Sequence, residues 1–164
     1  MNDTYVEHLI QRKTPFYTYI VTGILGLVTA AFVLLALTVS PISIILMLVF
    51  GVLTYLSWRN AHVEYEYLYV DRSLTIDAIL GRAKRKKAFE CSVSELEIMA
   101  PTGNYMLDNY RNVTKTADYT SQREGAKTYT MIVQKDGNTS RILLEPNEKI
   151  LQCMRQLSPG KVVL

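Results

Sequence analysis

The chain has 164 residues, 49% of them hydrophobic and 20% charged, with a net charge of +3. That charge arises wholly after residue 58, where 16 Lys and Arg stand against 13 Asp and Glu, an excess too mild for a nucleic-acid binder. Two isolated cysteines, Cys91 and Cys153, make no disulfide framework, and no repeat or low-complexity segment points to a solenoid or a disordered tail.

Residues 1–13 read as a short polar tail. Tyr5, Val6, Leu9 and Ile10 leave two readings open there, an amphipathic turn at a membrane interface or disorder. From Thr14 to Trp58 the chain runs 45 residues without one Asp, Glu, Lys, Arg or His. A span needs about 20 apolar residues, so residues 14–58 predict two transmembrane helices, about 16–39 and 41–58. At ~1.5 Å per residue these reach roughly 36 and 27 Å. Pro41 lacks an amide hydrogen and disfavours helical geometry at Ser40, so the break falls there and the spans form an antiparallel hairpin. Arg12, Lys13 and Arg59 flank the spans, and the Ser40 loop is uncharged. The positive-inside rule then predicts a two-span protein of the cell membrane with both termini cytoplasmic. Phe16, Tyr17 and Tyr19 at one end, and Tyr55 and Trp58 at the other, fit one interfacial aromatic belt. A cleaved signal peptide is disfavoured, because the apolar run exceeds an h-region and a second span follows at once. Thr22, Gly26 and Ala30 fall on one helix face, where small residues admit a close partner: the second helix of the same chain, or a second copy. Oligomeric state is open. No ionisable residue lies within the spans to serve an ion or proton path.

After Trp58 the periodicity turns from helical to alternating. Residues 63–70 and 74–80 predict a β-hairpin through Asp71-Arg72-Ser73, and Gly81 turns the chain into a third strand over 84–91. Leu96, Ile98 and Ala100 alternate with Glu97 and Met99 in a fourth, and residues 101–112 are a loop by composition. A fifth strand is predicted over 114–121, a sixth over 128–134 and a seventh over 139–144, the last two joined by Asp136-Gly137. Pro146 suits a helix start, and Ile150, Met154 and Leu157 share one face of a helix over about 146–157.

Seven strands closed by a C-terminal helix is the element order of a pleckstrin-homology (PH) barrel. Tyr67 to Leu74, Gly81-Arg82, the connection before Leu96, and Leu144-Glu145-Pro146 leading into the helix carry a resemblance to bacterial PH-like domains that follow transmembrane hairpins in small membrane proteins. The resemblance covers about 63–157. It implies an α+β chain: a membrane α-hairpin, then a cytosolic seven-strand PH-like barrel over 59–164 closed by the helix. The segment 101–112 departs from the compact pattern. In eukaryotic PH domains the phosphoinositide site uses the first strand-to-strand loop. Here that loop is three residues with one cation, and the lipid specificity does not carry over.

No catalytic spacing appears: no nucleophile elbow, phosphate loop, HExxH or CxxC. The expectation is a protein without catalysis, cofactor or metal, acting as a membrane-anchored interaction or scaffold module; an accessory or regulatory subunit of a transporter is the alternative. Its expected partners are membrane lipids and another membrane or cytosolic protein, with no nucleic acid. His62 reads as a solvated linker residue, and Glu64 and Glu66, like Glu95 and Glu97, as solvent-facing strand acids. Arg82, Lys84, Arg85, Lys86 and Lys87 are five cations in six residues. They read as a solvated edge strand or as contacts to anionic lipid, and RNA binding lacks the stacking aromatics. Tyr105, Met106, Leu107 and Tyr110 mark the long loop as a candidate protein-binding surface or as ordinary packing.

Overall fold

A computed structural model describes residues 5–38, 42–81 and 84–164. The chain divides into two compact units. Residues 14–63 and 80–84 make one; residues 1–13, 64–79 and 85–164 make the other.

The first unit is built on two helices, α1 (Phe16–Thr38) and α2 (Ser43–Ala61). Both are long and apolar enough to cross a membrane by length and composition. The break expected at Ser40-Pro41 lies outside the described residues. α2 runs past Trp58 to Ala61, placing Arg59 in its last turn, where a cation complements the helix dipole. The helices meet through Thr22, Thr29 and Phe32 on α1 and Phe50, Thr54 and Ser57 on α2. Thr22 and Ser57 hydroxyls lie 2.9 Å apart, those of Thr29 and Thr54 3.2 Å, and the rings of Phe32 and Phe50 stack at 5.4 Å. Thr29 and Thr54 each also reach a carbonyl of their own helix, Leu25 and Phe50. Each hydroxyl has one proton, so one of the two must leave its carbonyl to bond its neighbour. No residue of either helix is buried, and the aliphatic side chains point outward.

The second unit corrects the expected single closed barrel of seven strands. Among the described residues it holds eight strands in two four-stranded sheets. The first sheet has the order β1 (Val6–Gln11), β2 (Val63–Val70), β3 (Ser73–Leu80), β4 (Lys84–Ser92). The second has the order β5 (Leu96–Pro101), β7 (Tyr129–Lys135), β8 (Asn138–Leu144), β6 (Thr116–Asp118). The additional strand is β1. The tail read as an interfacial turn or disorder pairs antiparallel with β2, Val6 opposite Tyr69 through Gln11 opposite Glu64. A 3₁₀ turn at Val93–Glu95, closed by a Ser92–Glu95 capping box, carries the chain from β4 in one sheet to β5 in the other. The fifth strand is shorter than expected and runs parallel to β8. It stops because Asp118 turns its carboxylate onto Thr120 and Gln122.

Two hairpins have two-residue turns with left-handed φ at both positions, Asp71 (47°) with Arg72 (64°) and Asp136 (51°) with Gly137 (76°), the type I′ geometry that matches strand twist. In β5 a register shift between Leu96 and Ile98 breaks the alternation and brings Met99 to the core, while Ala100 is buried with Leu107 and Ile132 in a separate cluster. The last helix, α3 (Glu148–Leu157), starts after Pro146, because Asn147 is the cap and its Oδ1 accepts from the Ile150 amide at 2.9 Å. Ile150, Leu151 and Met154 are buried, whereas Leu157 is 43% exposed; Leu151 takes the core place expected of Leu157. Beyond α3 the chain returns along β5: the Met99 amide donates to Lys161 and the Val163 amide to Met99, with Val162 buried between them.

Candidate functional site

β4 is an edge strand of its sheet and carries the basic run. Arg82 lies outside the described residues. Lys84, Arg85, Lys86 and Lys87 are all exposed, and their ion pairs divide them. Arg85 Nη2 donates to Glu66 Oε1 at 2.9 Å and lies 2.7 Å from Oε2. Lys87 pairs with Glu90 at 3.0 Å. Among the described residues Lys84 and Lys86 have no acidic partner.

Glu66 is 3% exposed, which corrects the reading of it as a solvent-facing acid. Counted back from the two-residue turn, Asp77 on β3 stands opposite it; Asp77 is also buried, and its Oδ1 has no hydrogen-bond partner. Glu7 arrives on β1. Burial first, then hydrogen bonding with the Glu7 carboxyl, raises the Glu66 pKa above the usual carboxylate range, and the Arg85 guanidinium opposes this. Glu7 is held below its usual value by hydrogen bonds from the Tyr5 hydroxyl (2.8 Å) and from Glu66. The two carboxyls thus shift in opposite directions, Glu66 up and Glu7 down, and Arg85 is the cation bonded to Glu66. The arrangement ties β1, β2 and β4 into one polar row. Glu95 is used structurally: its carboxylate accepts from the Ser92 amide at 3.0 Å.

The base of α2 gathers a second group. The Gly81 amide donates to the His62 carbonyl at 2.8 Å, which ties Gly81, just past β3, to the helix end. Gly81 has φ +58°, and a Cβ there would stand 2.5 Å from Cγ of Arg59. The aliphatic stem of Arg59 therefore lies flat on Gly81, an approach that glycine permits. Its guanidinium sits 5.9 Å from the Tyr55 ring centroid, and its Nε is buried without a partner. Trp58 and Tyr55 are exposed, and the Trp58 ring lies 5.1 Å from that of His62.

A family profile described as Bacterial PH-like domain (DUF6106) covers residues 2–164. The chain belongs to this family. No curated protein and no solved structure matches it. In this family member the first strand-to-strand loop of the PH-like region, Asp71-Arg72, is a closed two-residue turn.

The remaining predicted positions are spread out. Leu107 is buried against Ala100 and Ile132, with Tyr110 packed beside it, in a 3₁₀ helix over Tyr105–Tyr110 that the sequence read as loop. Tyr105 and Met106 alone of that quartet are exposed. On α1, Thr22 lies on the seam with α2, a Cβ added at the half-buried Gly26 would meet nothing within 4 Å, and Ala30 is exposed. Burial pushes the Cys91 thiol up to about 12, which makes it unreactive. Among the described residues no cluster of three or more His, Cys, Asp or Glu could hold a metal ion. Sequence reasoning passed over Glu7 and Asp77 and read Arg59 only as a charge flanking the spans. Arg59 carried a signal, the first cation after a long apolar run beside Trp58; the Glu7–Glu66 contact carried none.

Proposed function

We propose that this is a membrane-anchored interaction module without catalytic activity. α1 and α2 span the cell membrane as a hairpin, and the PH-like unit with both termini lies on the cytoplasmic side. One observation carries the reading: two helices of 23 and 19 residues turn apolar side chains outward and bury none of them within the chain. Water is a poor surround for such a surface, and lipid is a good one. The β1–β2 pairing supports a common side for the two helix ends, since the chain leaves β1 for α1 and returns from α2 directly into β2. The absence of any catalytic spacing in the sequence supports a binding role. The alternative, an accessory subunit of a transporter, uses the outer faces of the helices for docking. Capture in mild detergent separates the two. The native chain is compared with a chimaera in which residues 16–61 are replaced by an unrelated apolar hairpin. Partners kept by the chimaera support the interaction module; partners lost with the native helices support the transporter subunit.

A further inference from the structure

We propose that the outer edge of β5 is a docking strip for an extended segment of a partner protein, a cation followed by two aliphatic residues, and that residues 161–163 of the same chain are a strap occupying it. This deepens the interaction-module reading and rests on it. β5 is an edge strand, paired with β7 on one side only. On its other side residues 161–163 run parallel to it, with Val162 opposite Met99 in a single bridge. The Met99 amide donates to the Lys161 carbonyl at 2.7 Å, and the Val163 amide donates to the Met99 carbonyl at 2.8 Å. An added strand makes such main-chain bonds with any sequence, so the side chains set the preference. Val162 is buried, Val163 packs against the cluster of Ala100, Leu107 and Ile132, and the Lys161 ammonium donates to the Leu96 carbonyl. Glu97, the one charged residue of β5, has no ion pair among the described residues, which adds to the preference for a basic segment.

The strap shields a sheet edge that would otherwise be open to strand addition. Its hold is slight. β5 meets β7 at five paired positions between Leu96 and Pro101, and meets the strap at one. The link back to α3 is Ser158-Pro159-Gly160, with Pro159 and Gly160 exposed and one turn bond, from the Lys161 amide to the Ser158 carbonyl at 3.0 Å. Release of the strap uncovers one fully buried valine and leaves Ile150, Leu151 and Met154 of α3 in place, the kind of local opening that precedes global unfolding. A longer partner segment gains pairing along β5 beyond the single bridge. A second copy offers only the same residues at a lower effective concentration, so it does not displace the strap.

Residue-resolved hydrogen exchange on the full-length protein in mild detergent tests this, with the probe peptide Pro-Gly-Lys-Val-Val-Leu copied from residues 159–164. Without peptide, the Met99 and Val163 amides should exchange at least about tenfold faster than the Ile132 amide of β7. Excess peptide should slow Met99 and quicken Val163, because the peptide takes the edge and the strap loses it. A peptide carrying the Val162→Asp change should act at least about tenfold more weakly, the fold-change that burying one valine supplies. Val162→Asp in the chain should open the edge, so that the unchanged peptide protects Met99 at least about tenfold more tightly than in the native protein. Cys91 that stays unreactive to maleimide shows this variant to be folded. Exchange of Met99 and Val163 only together with Ile132, or a reactive Cys91 in Val162→Asp, would place residues 161–163 in the core and overturn the strap. No action by either peptide, or equal action by both, would overturn the docking strip. Protection of Met99 that rises with protein concentration in the absence of peptide, with a dimeric mass, would make a second copy the occupant and refute a separate partner. None of these outcomes bears on the partner capture that tests the interaction module, so failure of the strap leaves that reading standing.

Discussion

Replacing Arg85 with Ala should destabilise the protein in a manner that depends on pH. The substitution leaves Glu66 (3% exposed) and Asp77 (8% exposed) without the cation bonded to Glu66. Breaking a buried ion pair by removing one partner costs ~3–5 kcal/mol. The Arg85 side chain is 56% exposed, so solvent screens the pair and about 1–3 kcal/mol is expected at pH 8. The sign of the pH dependence follows from Glu66. Its folded pKa is raised, so the stability linked to its proton is complete below the ordinary value of 4.5 and is lost as pH rises through the raised value. Without Arg85 that value rises further, and the penalty of an ionised Glu66 grows with it. Between pH 8 and pH 5 Glu66 moves toward its protonated form, and the loss at pH 5 should be the smaller of the two. Glu66→Gln removes the charge that Arg85 serves, so Arg85→Ala in that background should cost less than 1 kcal/mol, an approximate bound set by an exposed side chain with no buried charge to pair. Thermal unfolding of the full-length chain in mild detergent at the two pH values reads the three variants beside the native protein. A loss equal at both pH values, or one undiminished by Glu66→Gln, would refute the linkage between Arg85 and a buried carboxyl.

Other expectations follow from the fold. A fragment of residues 62–164 lacks β1, exposing the edge of β2 and depriving Glu66 of Glu7; it should aggregate, whereas residues 1–13 joined to 62–164 by a short Gly/Ser linker should give a monodisperse, mostly β protein by circular dichroism. Met154→Ala, at a side chain 1% exposed, should cost ~2–5 kcal/mol, and Leu157→Ala, at one 43% exposed, about 0.5 or less by thermal unfolding. Gly137→Ala forces a Cβ into φ 76° and should cost ~1–2 kcal/mol in the same assay. Cys91 should stay unmodified by a maleimide at pH 8 until the protein unfolds, because its thiol sits near 12, while the half-buried Cys153 reacts first.

The parts of this fold written in local patterns were legible. An uncharged run of 45 residues announces two helices, Asp136-Gly137 announces its hairpin, and Ile150 and Met154 mark the buried face of α3. What depended on distant pairing was not. β1 meets its partner only after two intervening helices, and nothing in Val6–Gln11 names β2. Glu66 alternates like a solvent-facing residue, and the groups it interacts with, Glu7, Asp77 and Arg85, lie on other strands. Met99 faces inward because of an irregularity in β5 that the alternation of Leu96, Ile98 and Ala100 conceals. The basic run was visible as a run, but its division was only half readable. Lys87 and Glu90 are three apart, whereas Arg85 finds Glu66 across the sheet. The pressing of Arg59 onto Gly81 joins residues that no periodicity connects.

The central claim is the membrane hairpin with its PH-like unit inside the cell, and labelling of single cysteines tests it most directly. In a background of Cys91→Ala and Cys153→Ala, Ser40→Cys and Asn2→Cys are each exposed to a membrane-impermeant maleimide on intact cells and again after lysis. Position 40 should label on intact cells, and position 2 only after lysis. Labelling of position 2 on intact cells with position 40 protected would contradict the topology, and labelling of neither until lysis would contradict a hairpin that crosses the membrane.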